Sequence, residues 1–184
     1  MSSQDTRDSY GSVTKTLHWT ILLLLIVQFT LGYTLTSLPE HDPTVKVLTW
    51  WHESTGFLIF IFAILFTVWR LRSVTPSLAD QPSWQRALAR SVHGGLYLCI
   101  FLQPLLGMSE VMLSGHPIAF YGAFRVPQIL PTAKHVSEAI GEVHDTVAVI
   151  ILVLVGLHVL GALYHEFVAR DSILARMLPG ARVS

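Results

Sequence analysis

The chain has 184 residues, with 12 Lys+Arg against 12 Asp+Glu, so its net charge is zero with histidine neutral. Charged residues make up 13%, about half the share usual in soluble domains, roughly 25%, while 52% of the chain is hydrophobic and its mean hydropathy is +0.54. This composition excludes a disordered chain and a nucleic-acid binder, which needs a basic excess. Cys99, the one cysteine, excludes an internal disulfide framework and any paired-cysteine motif, and what remains is a membrane protein of one domain, or two at most.

Crossing a hydrocarbon core of ~30 Å takes ~20 helical residues. The first charge-free stretch runs from Thr16 to Pro39. It is too long for the apolar region of a cleaved leader and no small-x-small site follows it, so it is read as a span. The second, Val47 to Trp69, holds one acid, Glu53, near its start. The third runs from Ser91 to Ser109, and the fourth from Thr146 to His165. None shows the polar residue every third or fourth position that a soluble bundle requires. The expectation is an all-α, integral-membrane four-helix bundle. It forms one domain over 1–184, with spans at about 16–37, 47–69, 91–112 and 144–166.

Tryptophans and tyrosines lie near the span ends, where amphipathic rings prefer the interface. With four spans both termini share a side. That side carries nine Lys/Arg against three (Lys46, Arg125 and Lys134) on the other, which puts both termini in the cytoplasm. Leu71 to Ala89 forms an inner loop, and Leu113 to Glu142 a long outer one carrying Phe120, Tyr121 and Phe124. Within the outer loop, Thr132 to Ile140 reads as a short surface helix capped by Thr132. Ser2 to Ser12 is polar and reads as mobile.

Nine histidines in so apolar a chain need an explanation. Six lie in or at the edge of a span: His18, His52, His93, His144, His158 and His165. Ionisable groups there are costly and point to function. His144 and His158 are fourteen positions apart, close to four helical turns, so they share a face ~21 Å apart, with His165 ~10 Å further on. Because the spans alternate in direction, His52 and His144 fall at the outer side, and His18, His93, His158 and His165 at the inner side. Zinc usually takes four ligands, often with cysteine or carboxylate among them. Haem is the better match, since imidazoles from facing helices fill both axial positions of its iron and leave it closed and suited to electron transfer. Gly56, Gly94, Gly95, Gly156 and Gly161 lie beside these histidines, where a flat ring could approach the backbone. Position alone pairs the outer histidines but does not choose among the four inner ones.

Several stretches carry a resemblance: Leu17-His18-Trp19; Trp51-His52-Glu53 with Gly56; His93 through Tyr97 to Pro104 and Gly107; Gly141-Glu142-Val143-His144-Asp145-Thr146; and Gly156-Leu157-His158, His165 and Leu174 to Pro179. Over nearly its whole length the chain resembles the bacterial cytochrome b561 family, four-helix dihaem proteins related to the cytochrome b subunits of nickel hydrogenases. The resemblance implies two haem b groups, the inner held by His18 and His158 and the outer by His52 and His144. It also implies an inner-side quinone pocket, with His165 and His93 as candidate contacts and Lys15 and Arg90 nearby, ubiquinone as the substrate, and a bacterial inner membrane as the location. Some similar proteins of this size oxidise superoxide and reduce ubiquinone. Against that donor, the outer loops and span ends carry seven acids (Glu40, Asp42, Glu53, Glu110, Glu138, Glu142 and Asp145), which slow capture of an anion. The alternative is a haem-bearing docking subunit that serves a separate periplasmic redox partner through the long outer loop.

Overall fold

A computed structural model describes residues 2–39, 41–76, 81–171 and 173–178; Glu40 and Pro179 lie outside the described residues. Four helices are long and apolar enough to cross a membrane: α1 (Ser12–Ser37), α2 (Val45–Arg72), α3 (Ser83–Ser114) and α4 (Lys134–Tyr164). They extend beyond the charge-free stretches, because helical hydrogen bonding continues into the interfacial zone, where Arg72 and Lys134 are exposed. The short helix expected over 132–140 is instead the first two turns of α4. Its N-cap is Ala133, with no side-chain cap, and Thr132 packs against Gly115. Gly115, at φ 85, ends α3 in the left-handed conformation that glycine adopts at no steric cost.

The helices pack in chain order, α1 on α2, α2 on α3 and α3 on α4, while no comparable packing joins α4 to α1 or α2 among the described residues. The α3–α4 seam is sewn at intervals. A Cβ on Gly95 would lie 3.1 Å from Leu154, and Ser137 Oγ donates to the Glu110 carbonyl at 2.8 Å. Gly95 thus serves helix packing. Beside Gly94, Gly156 and Gly161 there is open space.

The N-terminal segment, expected to be mobile, is anchored at Asp5. Asp5 folds back onto the inner end of the bundle with its side chain fully buried. It accepts from Gly11 N–H at 2.7 Å, from the Thr14 hydroxyl at 2.8 Å and from Arg70 of α2 at 2.8 Å. Trp69 Nε1 donates to the same Thr14 hydroxyl, and the Arg70 guanidinium lies over the Tyr10 ring. Burial raises the Tyr10 phenol above its usual pKa. The C-terminal end closes the same side of the bundle. After α4 the chain makes one π-helical turn, η1 (His165–Ala169), and then α5 (Ile173–Met177). Lys15 Nζ donates to the Leu178 carbonyl at 2.9 Å and Trp19 Nε1 to the Met177 carbonyl at 3.0 Å, tying α5 to α1.

At the opposite end a two-stranded hairpin, β1 (Ala119–Phe120) and β2 (Phe124–Arg125), folds over α2. Its turn places both Tyr121 (φ 45) and Gly122 (φ 73) at positive φ. Tyr121 is held there by α2: its N–H donates to Ser54 Oγ at 3.0 Å, and its hydroxyl pairs with Thr55 Oγ1 at 2.9 Å. Ser54 Oγ in turn donates to the Ala119 carbonyl at 3.0 Å. Ser54 is fully buried, so Ser54→Ala leaves two hairpin groups unpaired at about 1–3 kcal/mol. The expected result is faster amide exchange over residues 119–125 in hydrogen-exchange mass spectrometry, with an unchanged haem content.

Candidate haem-binding histidines

Four of the six span histidines meet in pairs across helices that do not pack on one another. His52 of α2 faces His144 of α4 with ring centroids 6.4 Å apart, and His18 of α1 faces His158 of α4 at 6.0 Å. The depth offset in each pair, ~9 Å for upright helices by sequence position, does not keep the rings apart. His93 of α3 lies edge-on to His158 at 5.0 Å. A metal bonded ~2 Å from the near nitrogen of each of two opposed imidazoles sets their centroids ~6 Å apart. The His18–His158 and His52–His144 pairs match that spacing, whereas His93 is too close to His158.

The outer pair sits in sockets made by small and amide side chains. A Cβ on Gly32 of α1 would lie 3.3 Å from His52 Cε1, and one on Gly107 of α3 would lie 3.0 Å from His144 Cε1. Glycine at these two positions lets each ring lie against a helix backbone. The Gln28 amide N–H donates to His52 Nε2 at 3.0 Å, and the Gln103 amide N–H donates to the His144 carbonyl at 3.0 Å. Gly56 makes room for Gln28 rather than for a ring directly, since its Cβ would lie 3.2 Å from the Gln28 amide nitrogen. Gln28, Gly32 and Gln103 were not singled out by sequence. The one signal was two uncharged amides inside charge-free spans.

Fit to a haem can be tested on the side chains themselves. His52 Nδ1, His144 Nδ1 and the side-chain oxygens of Gln28 and Gln103 are all buried without a hydrogen-bond partner. Such orphans are rare in native interiors, and here they concentrate at one site. Among the described residues no group of three or more His, Cys, Asp or Glu is arranged to hold a metal ion, which disfavours four-coordinate zinc. Two imidazoles with centroids about 6 Å apart, carried on apolar helices, suit an iron that takes two nitrogen ligands and has an apolar macrocycle. The residues present therefore fit haem.

The other inner histidine stands apart. His165 opens the π-helical turn after α4, and its Nδ1 lies 2.7 Å from Asp171 Oδ2. Lys15 is buried with its ammonium on the Leu178 carbonyl, so it braces α5 instead of presenting a free charge. Of the remaining histidines, His116 Nδ1 is 2.8 Å from Ser114 Oγ, and His135 lies in the first turn of α4, 3.7 Å from Glu138.

Residues 9–180 match the family described as prokaryotic cytochrome b561. The chain is 30% identical over 179 residues to cytochrome b561 homolog 2 of Escherichia coli K12, covering 97% of this chain and 95% of that protein. It is 27% identical over 164 residues to cytochrome b561 homolog 1 of the same organism, covering 89% and 93%. It is 28% identical over 172 residues to a protein of Yersinia pestis named probable superoxide oxidase CybB, covering 90% and 93%. The chain belongs to the prokaryotic cytochrome b561 family and is a multi-pass inner-membrane protein that binds haem b and transfers electrons.

Proposed function

We propose that the chain is a single dihaem domain that carries electrons across the inner membrane from a periplasmic donor to ubiquinone. His52 with His144 would hold the outer haem, and His18 with His158 the inner one. The observation that carries this reading is the pair of ring separations, 6.4 and 6.0 Å, made by histidines on helices that do not otherwise pack together. When bound, each haem would supply a one-electron carrier. The chain's own part is to fix the imidazoles. Gly32 and Gly107 set how closely the outer rings approach the backbone, and Gln28, which meets His52 Nε2 in this structure, would give up that contact if Nε2 took the iron. The segment around Asp5 and α5 lies at the end that the Lys/Arg bias assigns to the cytoplasm, together with His165 and His93, the candidate quinone contacts.

Superoxide is the donor favoured by the likeness to the Yersinia pestis protein of that name. A second reading, a docking subunit for a periplasmic redox partner, is favoured by the latched hairpin region, which leaves Trp51, Phe124 and Ile129 exposed. Purified protein supplied with enzymatically generated superoxide and ubiquinone-1 separates the two. Quinone reduction by the isolated chain above the protein-free rate supports the first reading. Reduction only after a periplasmic fraction is added supports the second.

A further inference from the structure

Two uncommon backbone features converge on one side-chain pair at the inner end. α4 does not simply stop. It widens into a π-helical turn at His165–Ala169, a rare form that recurs at functional sites. The chain then reverses through Arg170, a non-glycine residue at φ 52 and ψ 41. The reversal brings Asp171 N–H onto the His165 carbonyl at 3.1 Å and the Asp171 carboxylate onto His165 Nδ1 at 2.7 Å. The other carboxylate oxygen accepts from Ile173 N–H, which starts α5. Left-handed backbone at a non-glycine residue costs of order 1–3 kcal/mol and persists only where its surroundings hold it. The product here is a carboxylate–imidazole pair whose His165 side chain is 15% exposed and whose Asp171 is 37% exposed.

We infer that Asp171 is a positioning residue that makes His165 the proton donor to quinone from the cytoplasmic side. A carboxylate only accepts, so the hydrogen between the two residues belongs to His165 Nδ1. That fixes the tautomer and leaves Nε2, which has no hydrogen-bond partner among the described residues, as the atom that takes up and releases the working proton. Asp171 also pairs with the imidazolium charge while Nε2 is loaded, and its partial exposure puts that side of the pair in reach of water. Reduction of one quinone takes two electrons and two protons. The electrons come from the family's transfer activity. Each new O–H bond on the quinone breaks one N–H bond at His165 Nε2, which is reloaded from inner water between the two electron steps. Neither His18 nor His158 is asked to move a proton.

This inference rests on the quinone reading above, and one experiment separates their failures. The detergent-purified haem-loaded chain is reduced anaerobically with stoichiometric dithionite and mixed with ubiquinone-1 in a stopped flow, and haem reoxidation is followed. If the wild-type chain is not reoxidised, the quinone reading fails and takes this inference with it. If it is reoxidised, Asp171→Asn is expected to slow the reaction at least tenfold, toward the ~10²–10⁴ typical of a general acid. Asp171→Ser, which keeps an acceptor for Ile173 N–H, is expected to do the same. Asp171→Glu should recover much of the rate, and Asp171→Asn should add nothing in a His165→Gln background, because residues that act as a unit are non-additive. A wild-type rate in both Asp171→Asn and Asp171→Ser overturns the inference. So does an equal slowing in the His165 and His165→Gln backgrounds, since that is the signature of a merely structural role.

Discussion

Replacing His158 with alanine is expected to leave the purified protein with one haem per chain instead of two, and His18→Ala is expected to do the same. His52→Ala and His144→Ala should each remove the other haem, so that the single-haem proteins from the two sets differ in spectrum and potential. The reasoning is geometric. His158 is the one α4 residue whose ring meets two other histidines, and the 6.0 Å separation to His18 admits an iron where the 5.0 Å separation to His93 does not. His93→Ala should therefore keep two haems, with at most a shifted inner spectrum. Pyridine-haemochrome quantitation against protein mass reads all five variants. If His93→Ala lost the inner haem while His18→Ala kept it, the inner pairing would be His93 with His158.

Asp5→Ala is expected to be the most destabilising substitution outside the haem sites. The carboxylate is fully buried and satisfies three donors at once, one of them the Arg70 guanidinium, whose side chain is only 16% exposed. Removing one partner of a buried ion pair costs about 3–5 kcal/mol, because the other charge is left without compensation. Asp5→Asn keeps acceptors for Gly11 and Thr14 and should lose less. Thermal unfolding in detergent, followed by circular dichroism, is expected to show a clear drop in midpoint for alanine and a smaller one for asparagine. An unchanged midpoint for Asp5→Ala would mean that the N-terminal latch contributes nothing to the bundle.

The four spans were legible because a membrane helix announces itself by lacking charge over some twenty residues, a signal that needs no neighbour. The six histidines were legible for the same reason, as polar groups where none should be. Their side of the membrane followed from helix direction alone, and the outer pair followed from that. The inner set stayed open because sequence gives depth but not azimuth: it could not tell that the His93 ring lies 5.0 Å from that of His158 and the His18 ring 6.0 Å. Helix ends were less legible. Lys134 begins α4 well before the charge-free stretch, and nothing in a charge count separates an interfacial helix turn from a loop. The N-terminal segment was misread outright. Its polar composition suggested mobility, but Asp5 is buried by a partner 65 residues away, a long-range contact that no local pattern encodes. Asp171 was invisible for a related reason, since its meeting with His165 depends on a π-turn and a left-handed arginine that have no sequence signature.

The most direct test of the two-site account is a dithionite-reduced minus oxidised visible spectrum of the full chain, purified in detergent after expression with ample haem, together with its haem-to-protein ratio. The account predicts two b-type haems per chain, both with the low-spin signature of bis-imidazole ligation. A ratio of one, or a high-spin haem open to carbon monoxide, would contradict it and leave one of the two histidine pairs with a different task.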